Sequence, residues 1–479
     1  MNADAATAVC LRVWENEILP ALADFIRVPN VSPMFAPDWA ESGHMAEAVA
    51  LVHDWCARRP IPGLTADVVQ LEGRTPLIVV EVPPTAGAET GVGSGTVVLY
   101  GHLDKQPEMC GWRPGLGPWT PVHDGDRLYG RGGADDGYAA FAAVTAIEAV
   151  EAGGGAHGRC VVLIEASEES GSPDLPAYVD ALTDRIGTPD LVVCLDSECA
   201  TYDRLWMTTS LRGILGIVVT VEILTEGVHS GSAGGVVPSS FRIMRQLLSR
   251  LEDEHTGELL LPELHAEVPS DRAEQIKATA TELGDAAGGR YPLVEGARAI
   301  GDDPSEQLLN RTWRPALATV GIDGIPTTDS GGNVLRPFTR AKFSIRLPPT
   351  VDPDRAFTAV EQVLTDNPPY GARVTVEAED MGSGWNAPPM APWLTAAVDN
   401  ASVAAFGRPA RYIGEGGSIP FMALLGHRFP KTQFVVTGVL GPGANAHGPN
   451  EFLHVPTAKS LTAAVAHMLD AHARADVDA

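Results

Sequence analysis

Apolar residues recur along the chain in two patterns, one with helical spacing and one typical of buried strands. Residues 5–27 carry apolar side chains at intervals of three and four, which predicts a helix near the start. Short runs rich in Val, Ile and Leu follow, such as residues 160–165, and Gly or Pro bounds several of them. Runs of this kind are typical of strands buried on both faces of a sheet. The predicted strands cover residues 76–82, 96–100, 160–165 and 190–195, and further helices cover 45–56 and 137–152.

The pattern changes near residue 211. Strands are predicted over residues 214–224, 341–347 and 373–378, and helices over 239–251 and 353–365, which is an α+β layer of ferredoxin-like kind. From about residue 393 the α/β alternation resumes, with a strand over 433–437 and a helix over 457–472. The fold class is therefore predicted as α/β, with a mostly parallel sheet flanked by helices. Residues 1–210 and 386–479 form this domain, and a smaller α+β domain, residues 211–385, interrupts it.

Two further segments are predicted to be irregular. Residues 83–95 are rich in Gly, Pro and Thr and are predicted to be a loop. The polar stretch 269–303 is predicted to be a loop or lid insertion.

Composition excludes several classes of protein. Hydrophobic residues make up 44% of the 479, enough to form cores, and the formal net charge of −27 disfavours nucleic acid as a partner. No apolar run approaches the roughly 18 residues needed to span a bilayer, and the start lacks the features of a secretory signal. The six cysteines form no CxxC pair. These features predict a cytoplasmic protein that binds neither nucleic acid nor membrane.

Acidic and histidine residues directly follow the predicted strands or lie in the loops after them. They are His102 with Asp104, Asp135 with Asp136, Glu168 with Glu169, Asp196, and His447. In an open α/β sheet, the carboxyl ends of the strands form the edge where ligands bind. Carboxylates crowded at one edge repel one another unless protons or cations neutralise them. The pattern therefore predicts a pair of divalent metal ions at this edge.

The residue types suggest individual roles. The predicted metal ligands are the imidazoles of His102 and His447, a bridging Asp135, and the terminal carboxylates of Glu169 and Asp196. Asp104, two residues after His102, suits the task of fixing the tautomer of that histidine. Glu168 is left over, and a carboxylate that lies beside the metals can take a proton from water and pass it to a leaving amine. This constellation predicts a hydrolase.

Taken one at a time, these residues have simpler explanations. The Glu168–Glu169 pair alone would be a solvated acidic loop, and Asp196 would be the N-cap of a helix. Residues 153–158 match the pattern G-x-G-x-x-G, but they follow a predicted helix and precede a strand. That order is the reverse of the one found in a dinucleotide site, so a connecting loop is predicted.

Several motifs together resemble one family. They are residues 101–107, 128–132 with 135–136, 168–171, 228–231, 342–347, 416–420 and 446–447. In this order they resemble the carnosinase branch of the aminoacylase/carboxypeptidase metallopeptidases, peptidase family M20. The resemblance implies a peptidase with two divalent metal ions, Zn²⁺ or Mn²⁺ and less commonly Co²⁺. It also implies that residues 211–385 form a lid and dimerisation domain, and that the protein is a homodimer.

The resemblance also assigns residues. Asp104 would support His102, and Glu168 would be the proton acceptor. His229 would reach the site of the neighbouring subunit and stabilise an oxyanion there. Arg346 would grip a substrate carboxylate, and Asn333 and Ser418 would contact substrate.

The implied activity is hydrolysis of dipeptides or short peptides that carry a free C-terminal carboxylate. An N-acyl-amino-acid deacylase, acting on acetyl or succinyl derivatives, is the alternative, and a catalytically silent metal-binding protein is a more distant one. The chain departs from the family where Gly137 replaces the lysine that commonly follows the Asp-Asp pair. It departs again at Asn333, where close relatives often carry Thr. Both departures concern substrate preference more than activity.

Overall fold

The computed structural model describes residues 1–85, 95–289, 291 and 293–475. The chain divides into two compact units. The first consists of Met1–Thr209, Ala387–Ile413 and Ile419–Ala479, and the second of Ser210–Asn386 with Gly414–Ser418. The predicted loop over 83–95 falls mostly outside the described residues.

The strands are, in chain order, β1 Thr65–Val69, β2 Leu77–Val82, β3 Thr96–His102, β4 Val122–Asp124, β5 Arg127–Tyr129, β6 Arg159–Glu165, β7 Pro189–Cys194, β8 Trp206–Leu211, β9 Gly213–Glu222, β10 Val228–His229, β11 Ala316–Asp323, β12 Val334–Leu335, β13 Phe338–Leu347, β14 Arg373–Gly382, β15 Trp385–Asn386, β16 Arg411–Glu415, β17 Gln433–Val436 and β18 Phe452–His454. The α-helices are α1 Ala3–Val13, α2 Leu19–Arg27, α3 Trp39–Ser42, α4 His44–Ala57, α5 Ala139–Ala152, α6 Leu175–Ala181, α7 Thr183–Ile186, α8 Ser230–Ala233, α9 Ser240–Leu248, α10 Ser270–Leu283, α11 Ala286–Gly289, α12 Pro304–Thr312, α13 Pro353–Thr365, α14 Pro392–Phe406, α15 Pro420–Arg428 and α16 Val455–His472.

The first unit is built on a sheet with the strand order β1-β2-β6-β3-β7-β17. Strand β3 is parallel to both β6 and β7, and β17 is parallel to β7, whereas β1 and β2 form an antiparallel edge. The central strands are buried on both faces, which explains their uninterrupted runs of Val, Ile and Leu. The carboxyl ends of the parallel strands therefore lie along one edge of the sheet.

Helix α5 forms the centre of the first unit's core. Its side chains from Ala139 to Val150 are buried on every side of the helix, which its Ala-rich sequence permits without crowding. It packs against α1, α16 and β3. The buried apolar side chains around it form one continuous cluster that also includes the strands.

The second unit contains an antiparallel sheet with the order β11-β13-β9-β14. Side chains of β13 alternate between buried and partly exposed, so one face of the sheet forms a core with α9 and α13. The N-terminus of α13 begins at Pro353, and the side chain of Asp352 caps it by accepting from the Arg355 N–H at 2.9 Å. The predicted fold class, an α/β fold with a smaller α+β layer, is confirmed.

The stretch 269–303 was predicted to be a loop or lid insertion, and the loop is wrong for its first half because Ser270–Leu283 forms helix α10. The lid insertion stays a prediction. The buried residues of this helix include Arg272, Ile276 and Ala280, which have helical spacing. Only two of these three are apolar, so the helical face was hidden by its polar members. No helix within the described ranges is long and apolar enough to cross a membrane.

Candidate metal centre

Three parallel strands of the first unit bring the predicted ligands to one edge of the sheet. Strand β3 ends at His102, and β7 ends one residue before the Leu195–Asp196 pair. Strand β6 ends at Glu165, and a single 3₁₀ turn, Glu168–Ser170, follows it. Because the strands run in the same direction, their ends and the side chains that follow them converge.

The imidazole of His102 faces two carboxylates. Its Nε2 atom lies 3.4 Å from Asp135 Oδ1 and 3.7 Å from Asp196 Oδ2. The side chain is fully buried, and Nε2 has no hydrogen-bond partner among the described residues. A buried polar atom without a partner is costly unless another group completes its coordination.

The imidazole of His447 faces the other oxygen of the same aspartate. Its Nε2 atom lies 3.0 Å from Asp135 Oδ2 and 3.2 Å from Glu169 Oε2. Asp135 thus stands between the two histidines, with one carboxylate oxygen directed to each. The backbone of His447 has a φ of 63°, in the left-handed region that a residue with a side chain seldom adopts. Such strain is often found at functional sites.

Glu168 and Glu169 belong to two different groups of potential ligands, and His102 belongs to both groups. Ligand atoms of His102, Glu168 and Asp196 lie within 4.8 Å of one another, and those of His102, Asp135 and Glu169 form a second group of the same size. Burial, followed by the charge of Asp196, raises the pKa of Glu168 well above its ordinary value. The division of tasks between Glu168 and Glu169 stays a prediction, since both carboxylates lie within reach of His102.

Asp104 holds the turn that carries these two glutamates. One of its carboxylate oxygens accepts from the Glu168 N–H at 3.0 Å and the other from the Glu169 N–H at 3.0 Å. Its backbone carbonyl lies 3.1 Å from His102 Nδ1, and its carboxylate lies 3.4 Å from the same atom. Both oxygens near Nδ1 favour a proton there, which leaves Nε2 free to coordinate.

Charges within the cluster move the pKa values of its members apart. Burial disfavours the charged form of Asp135, but hydrogen bonds from His102 and His447 outweigh it, so the pKa of Asp135 falls. Burial also opposes a charge on His447, yet its bonds to Asp135 and Glu169 raise the pKa of His447 to about 11. Since 55% of the His447 side chain is exposed, solvent moderates this shift.

The donor set fits divalent metal ions. It combines imidazole nitrogens with carboxylate oxygens, which are ligands that Zn²⁺ and Mn²⁺ accept. The buried Nε2 of His102, which has no hydrogen-bond partner among the described residues, faces the carboxylates of Asp135 and Asp196. The structure thus gathers all five predicted ligands, although their individual assignment remains a prediction.

Sequence reasoning missed the residues that tie together the loops carrying the predicted ligands. Buried Arg131 pairs with buried Glu451 and donates to the Gly448 carbonyl at 2.9 Å, next to His447. Glu451 also accepts from the Gly132 N–H at 2.9 Å. Arg131 lies inside the motif at residues 128–132, but its pairing with Glu451 across 320 positions cannot be read from a pattern.

Gln106 was missed as well. Its amide Nε2 donates to Glu169 Oε2 at 2.7 Å and so fixes one oxygen of this carboxylate. It lies in the segment after β3, four residues beyond His102. The only sequence feature that could have pointed to Gln106 is its place in the motif at residues 101–107.

The remaining predicted site residues lie in the second unit. His229 is exposed and accepts from the Gly231 N–H at 3.1 Å through Nδ1, and the neighbouring Ser230 N–H donates to the Asn333 carbonyl at 2.9 Å. The second unit therefore brings His229 and Asn333 together. Arg346 lies on the polar face of the antiparallel sheet, where the charge of Asp380 acts on it. Ser418 ends the short segment Gly414–Ser418 of this unit.

Comparison with known proteins places this site in a family. The model of "Peptidase family M20/M25/M40" matches residues 98–471. A cysteinylglycine-S-conjugate dipeptidase of Corynebacterium striatum is 27% identical over 395 residues, which cover 78% of this chain and 82% of the relative. The Beta-Ala-His dipeptidase of Homo sapiens is 30% identical over 292 residues, 59% of this chain and 56% of the relative.

Solved structures agree at the level of the fold. The di-peptidase Dug1p from Saccharomyces cerevisiae aligns with a TM-score of 0.78 at 22% identity, covering 99% of this chain and 100% of that chain. Human carnosine dipeptidase 1 aligns with a TM-score of 0.79 at 21% identity, covering 99% of each. The family implies binding of divalent metal ions, in agreement with the cluster around Asp135. The chain belongs to the Peptidase family M20/M25/M40.

Proposed function

We propose that this chain is a metal-dependent dipeptidase that hydrolyses the amide bond of dipeptides or short peptides with a free C-terminal carboxylate. The observation that carries the proposal is the placement of Asp135 between two imidazoles, with a further carboxylate beside each of them. Relatives that cover most of this chain are named as dipeptidases. A deacylase acting on N-acyl amino acids is not favoured by these names.

In this proposal the first unit holds the metals and moves the proton. His102, Asp135 and Asp196 would hold one metal ion, and His447, Asp135 and Glu169 the other. Bound divalent ions supply Lewis acidity, which polarises a carbonyl group and lowers the pKa of water. Glu168 takes a proton from the attacking water and later gives it to the departing amine. Its position beside His102 and Asp196 supports this exchange.

The second unit would bind the substrate. The guanidinium of Arg346 is suited to a paired hydrogen bond with the C-terminal carboxylate. Asn333 and Ser418 would contact the peptide, and His229 would stabilise the oxyanion in the site of the neighbouring subunit. His229 is exposed, as a residue that acts on another subunit must be. This arrangement requires a homodimer formed through residues 211–385.

The metal and the compartment are also proposals. We infer Zn²⁺ as the native ion, with Mn²⁺ or Co²⁺ as functional substitutes, because mixed imidazole and carboxylate ligands suit Zn²⁺ and its neighbours. We infer a cytoplasmic location because none of the six cysteines, each of which is described, forms a disulfide.

Paired variants test the catalytic roles. Glu168→Gln should lower kcat by roughly 10² to 10⁴, the usual contribution of general acid–base catalysis, with metal content unchanged. Glu169→Gln should lose metal from the protein. The measurements are dipeptide hydrolysis and elemental analysis of the same samples. Metal loss in the first variant and not in the second would mean that the two roles are exchanged. No hydrolysis of any dipeptide or N-acyl amino acid, with Zn²⁺, Mn²⁺ or Co²⁺ supplied, would contradict the proposed function.

Mixing two inactive variants tests the role of His229. A dimer of Glu168→Gln and His229→Ala subunits contains one site with intact Glu168 and an intact His229 from the other subunit. An equal mixture that exchanges subunits should regain roughly a quarter of the wild-type activity, since half of its dimers are mixed and each has one complete site. No recovery after exchange would contradict action across the dimer.

A further inference from the structure

His229 stands at the end of a short two-stranded ribbon in the second unit. Strand β10 pairs with β12 in antiparallel register, with His229 opposite Val334. The chain then forms α8, a single helical turn in which the Gly234 N–H donates to the Ser230 carbonyl at 2.8 Å. The Ser230 N–H donates across the ribbon to the Asn333 carbonyl at 2.9 Å. The backbone is therefore held both before and after His229.

The imidazole of His229 is held by the Gly231 N–H, which donates to Nδ1 at 3.1 Å. Because a backbone N–H can only donate, Nδ1 must accept through its lone pair. A neutral imidazole carries a proton on one ring nitrogen only, so the proton must then lie on Nε2. Nε2 has no hydrogen-bond partner among the described residues, and His229 is exposed. The N–H of the ring is thus free to donate to another molecule.

A free and oriented N–H is what the proposed role of His229 requires. An oxyanion is stabilised best by a donor that is already in place when the charge develops. A proton on Nδ1 would leave a lone pair on Nε2, which would repel an oxyanion. The contact with Gly231 therefore favours the tautomer that can act.

Gly231 also leaves room for the ring. A Cβ atom added to Gly231 would lie 2.8 Å from His229 Cε1 and 3.2 Å from Nδ1, closer than the 3.5–4.0 Å or so at which carbon atoms pack. Gly231 lies within α8 and is not among the residues with positive φ, so alanine would meet no backbone strain there. A methyl group at this position would therefore push the ring away from the N–H that holds it.

We propose that Gly231 is a positioning residue for His229, because its N–H fixes the Nε2–H tautomer and its missing side chain allows the ring to be held in that orientation. The inference rests on the proposed function, in which His229 stabilises the oxyanion. The simpler alternative is that His229 only caps α8, a task for which other N-cap side chains would serve equally well.

One substitution of His229 separates capping from donation. His229→Asn keeps an oxygen that can cap the Gly231 N–H, since Asn is a favoured N-cap residue, but its shorter side chain has no group in the place of Nε2. On the full-length enzyme loaded with Zn²⁺, kcat for Ala-Ala should fall by about 10²–10³, the usual effect of losing an oxyanion donor. Wild-type activity in His229→Asn would overturn the proposal, because capping alone would then be sufficient.

Gly231→Ala tests the positioning role itself. It should lower kcat at least about tenfold and change KM less than about threefold, because the oxyanion forms only in the transition state. Gly321→Ala is the matched control in strand β11 of the same unit, because an added Cβ there would meet Lys342 Cβ at an ordinary 3.6 Å. The control should keep the wild-type kcat. An unchanged kcat in Gly231→Ala, or an equal loss in the control, would overturn the positioning role.

Nitrogen NMR of the histidine rings tests the tautomer without catalysis. In the Zn²⁺-loaded protein at about pH 8.5, where an ordinary imidazole is neutral, His229 should show a protonated Nε2 and an unprotonated Nδ1. The signals that are absent from His229→Asn identify the residue, and Gly231→Ala should show part of the proton on Nδ1. A proton mainly on Nδ1 in the wild type would overturn the inference, even in an enzyme that hydrolyses dipeptides. An enzyme that hydrolyses no dipeptide at all would instead overturn the proposed function, and the positioning role with it.

Discussion

The carboxylate of Asp104 is the most informative group to change, because it supports the candidate metal centre without being a predicted ligand. Asp104→Asn keeps the size of the side chain and one acceptor oxygen. The other oxygen becomes an amide that can only donate, and it would face the N–H of Glu168 or of Glu169, each of which now donates at 3.0 Å. The histidine should be less affected, since the Asp104 backbone carbonyl still lies 3.1 Å from His102 Nδ1.

The magnitude follows from these contacts. A buried hydrogen bond to a charged group contributes about 1.5–3 kcal/mol, and an N–H that faces another donor adds a desolvation cost. Asp104 is fully buried, so solvent cannot replace the lost acceptor. The free energy of unfolding of the metal-free protein should therefore fall by about 2–4 kcal/mol. Because the turn that carries Glu169 loosens, metal affinity should fall roughly 10- to 100-fold, as is usual for residues that orient ligands.

Denaturant unfolding and competition with a chromophoric chelator measure the two quantities. Asp174→Asn is the matched control, because Asp174 also holds a backbone segment of the first unit, accepting from the Thr75 N–H at 2.8 Å and from Arg74 at 2.8 Å. The control should lose stability but keep its metal affinity. If Asp104→Asn lowered stability and left metal affinity within twofold of the wild type, the orienting role of Asp104 would be refuted.

Three further results are expected. Metal binding should release protons, and metal affinity should increase about tenfold per pH unit for each proton displaced, because the pKa of His447 is raised to about 11 without metal and its imidazole must be neutral to bind. Calorimetry in buffers of different ionisation enthalpy measures the number of protons released. A metal affinity that does not depend on pH would contradict this prediction. Arg131→Met should cost about 3–5 kcal/mol of unfolding free energy near pH 8, because it leaves the buried Glu451 without its cation. Since burial raises the folded-state pKa of Glu451 to about 7, the carboxyl can remain neutral at low pH, so the cost should shrink between pH 8 and pH 5; a cost that grows toward pH 5 would be contrary to this. Finally, a thiol reagent should label Cys110 alone of the six cysteines in the native protein, because it is exposed and the others are buried, and Cys110→Ser should abolish that labelling.

Much of the fold could be predicted because buried positions in these elements carry apolar residues at regular spacing. The central strands of the first unit are hydrophobic on both faces, and helix α13 was predicted with its observed limits, Pro353–Thr365. Elements with mixed faces were harder to find. Strand β1 has no fully buried residue, and the buried face of helix α10 includes Arg272, so neither carried a clear apolar pattern.

Sequence alone placed candidate ligands at the ends of strands, and parallel strands then had to bring them to one edge of a sheet. That conclusion needs only chain direction, which a pattern of strands and helices fixes. The sequence does not reveal which carboxylate oxygen faces which imidazole nitrogen. Asp135 lies between His102 and His447 only because the loop that carries Asp135 and the loop that carries His447, which are far apart in sequence, meet in the folded protein.

Tertiary structure alone decided the supports of the site. Asp104 meets the turn at Glu168 across 64 positions, and Arg131 meets Glu451 across 320. Such pairings carry no periodic signal, because a hydrogen bond requires only that two groups meet once in space. The alternation of side chains thus determined the framework of this protein, whereas long-range contacts between single polar groups determined how its chemistry is held.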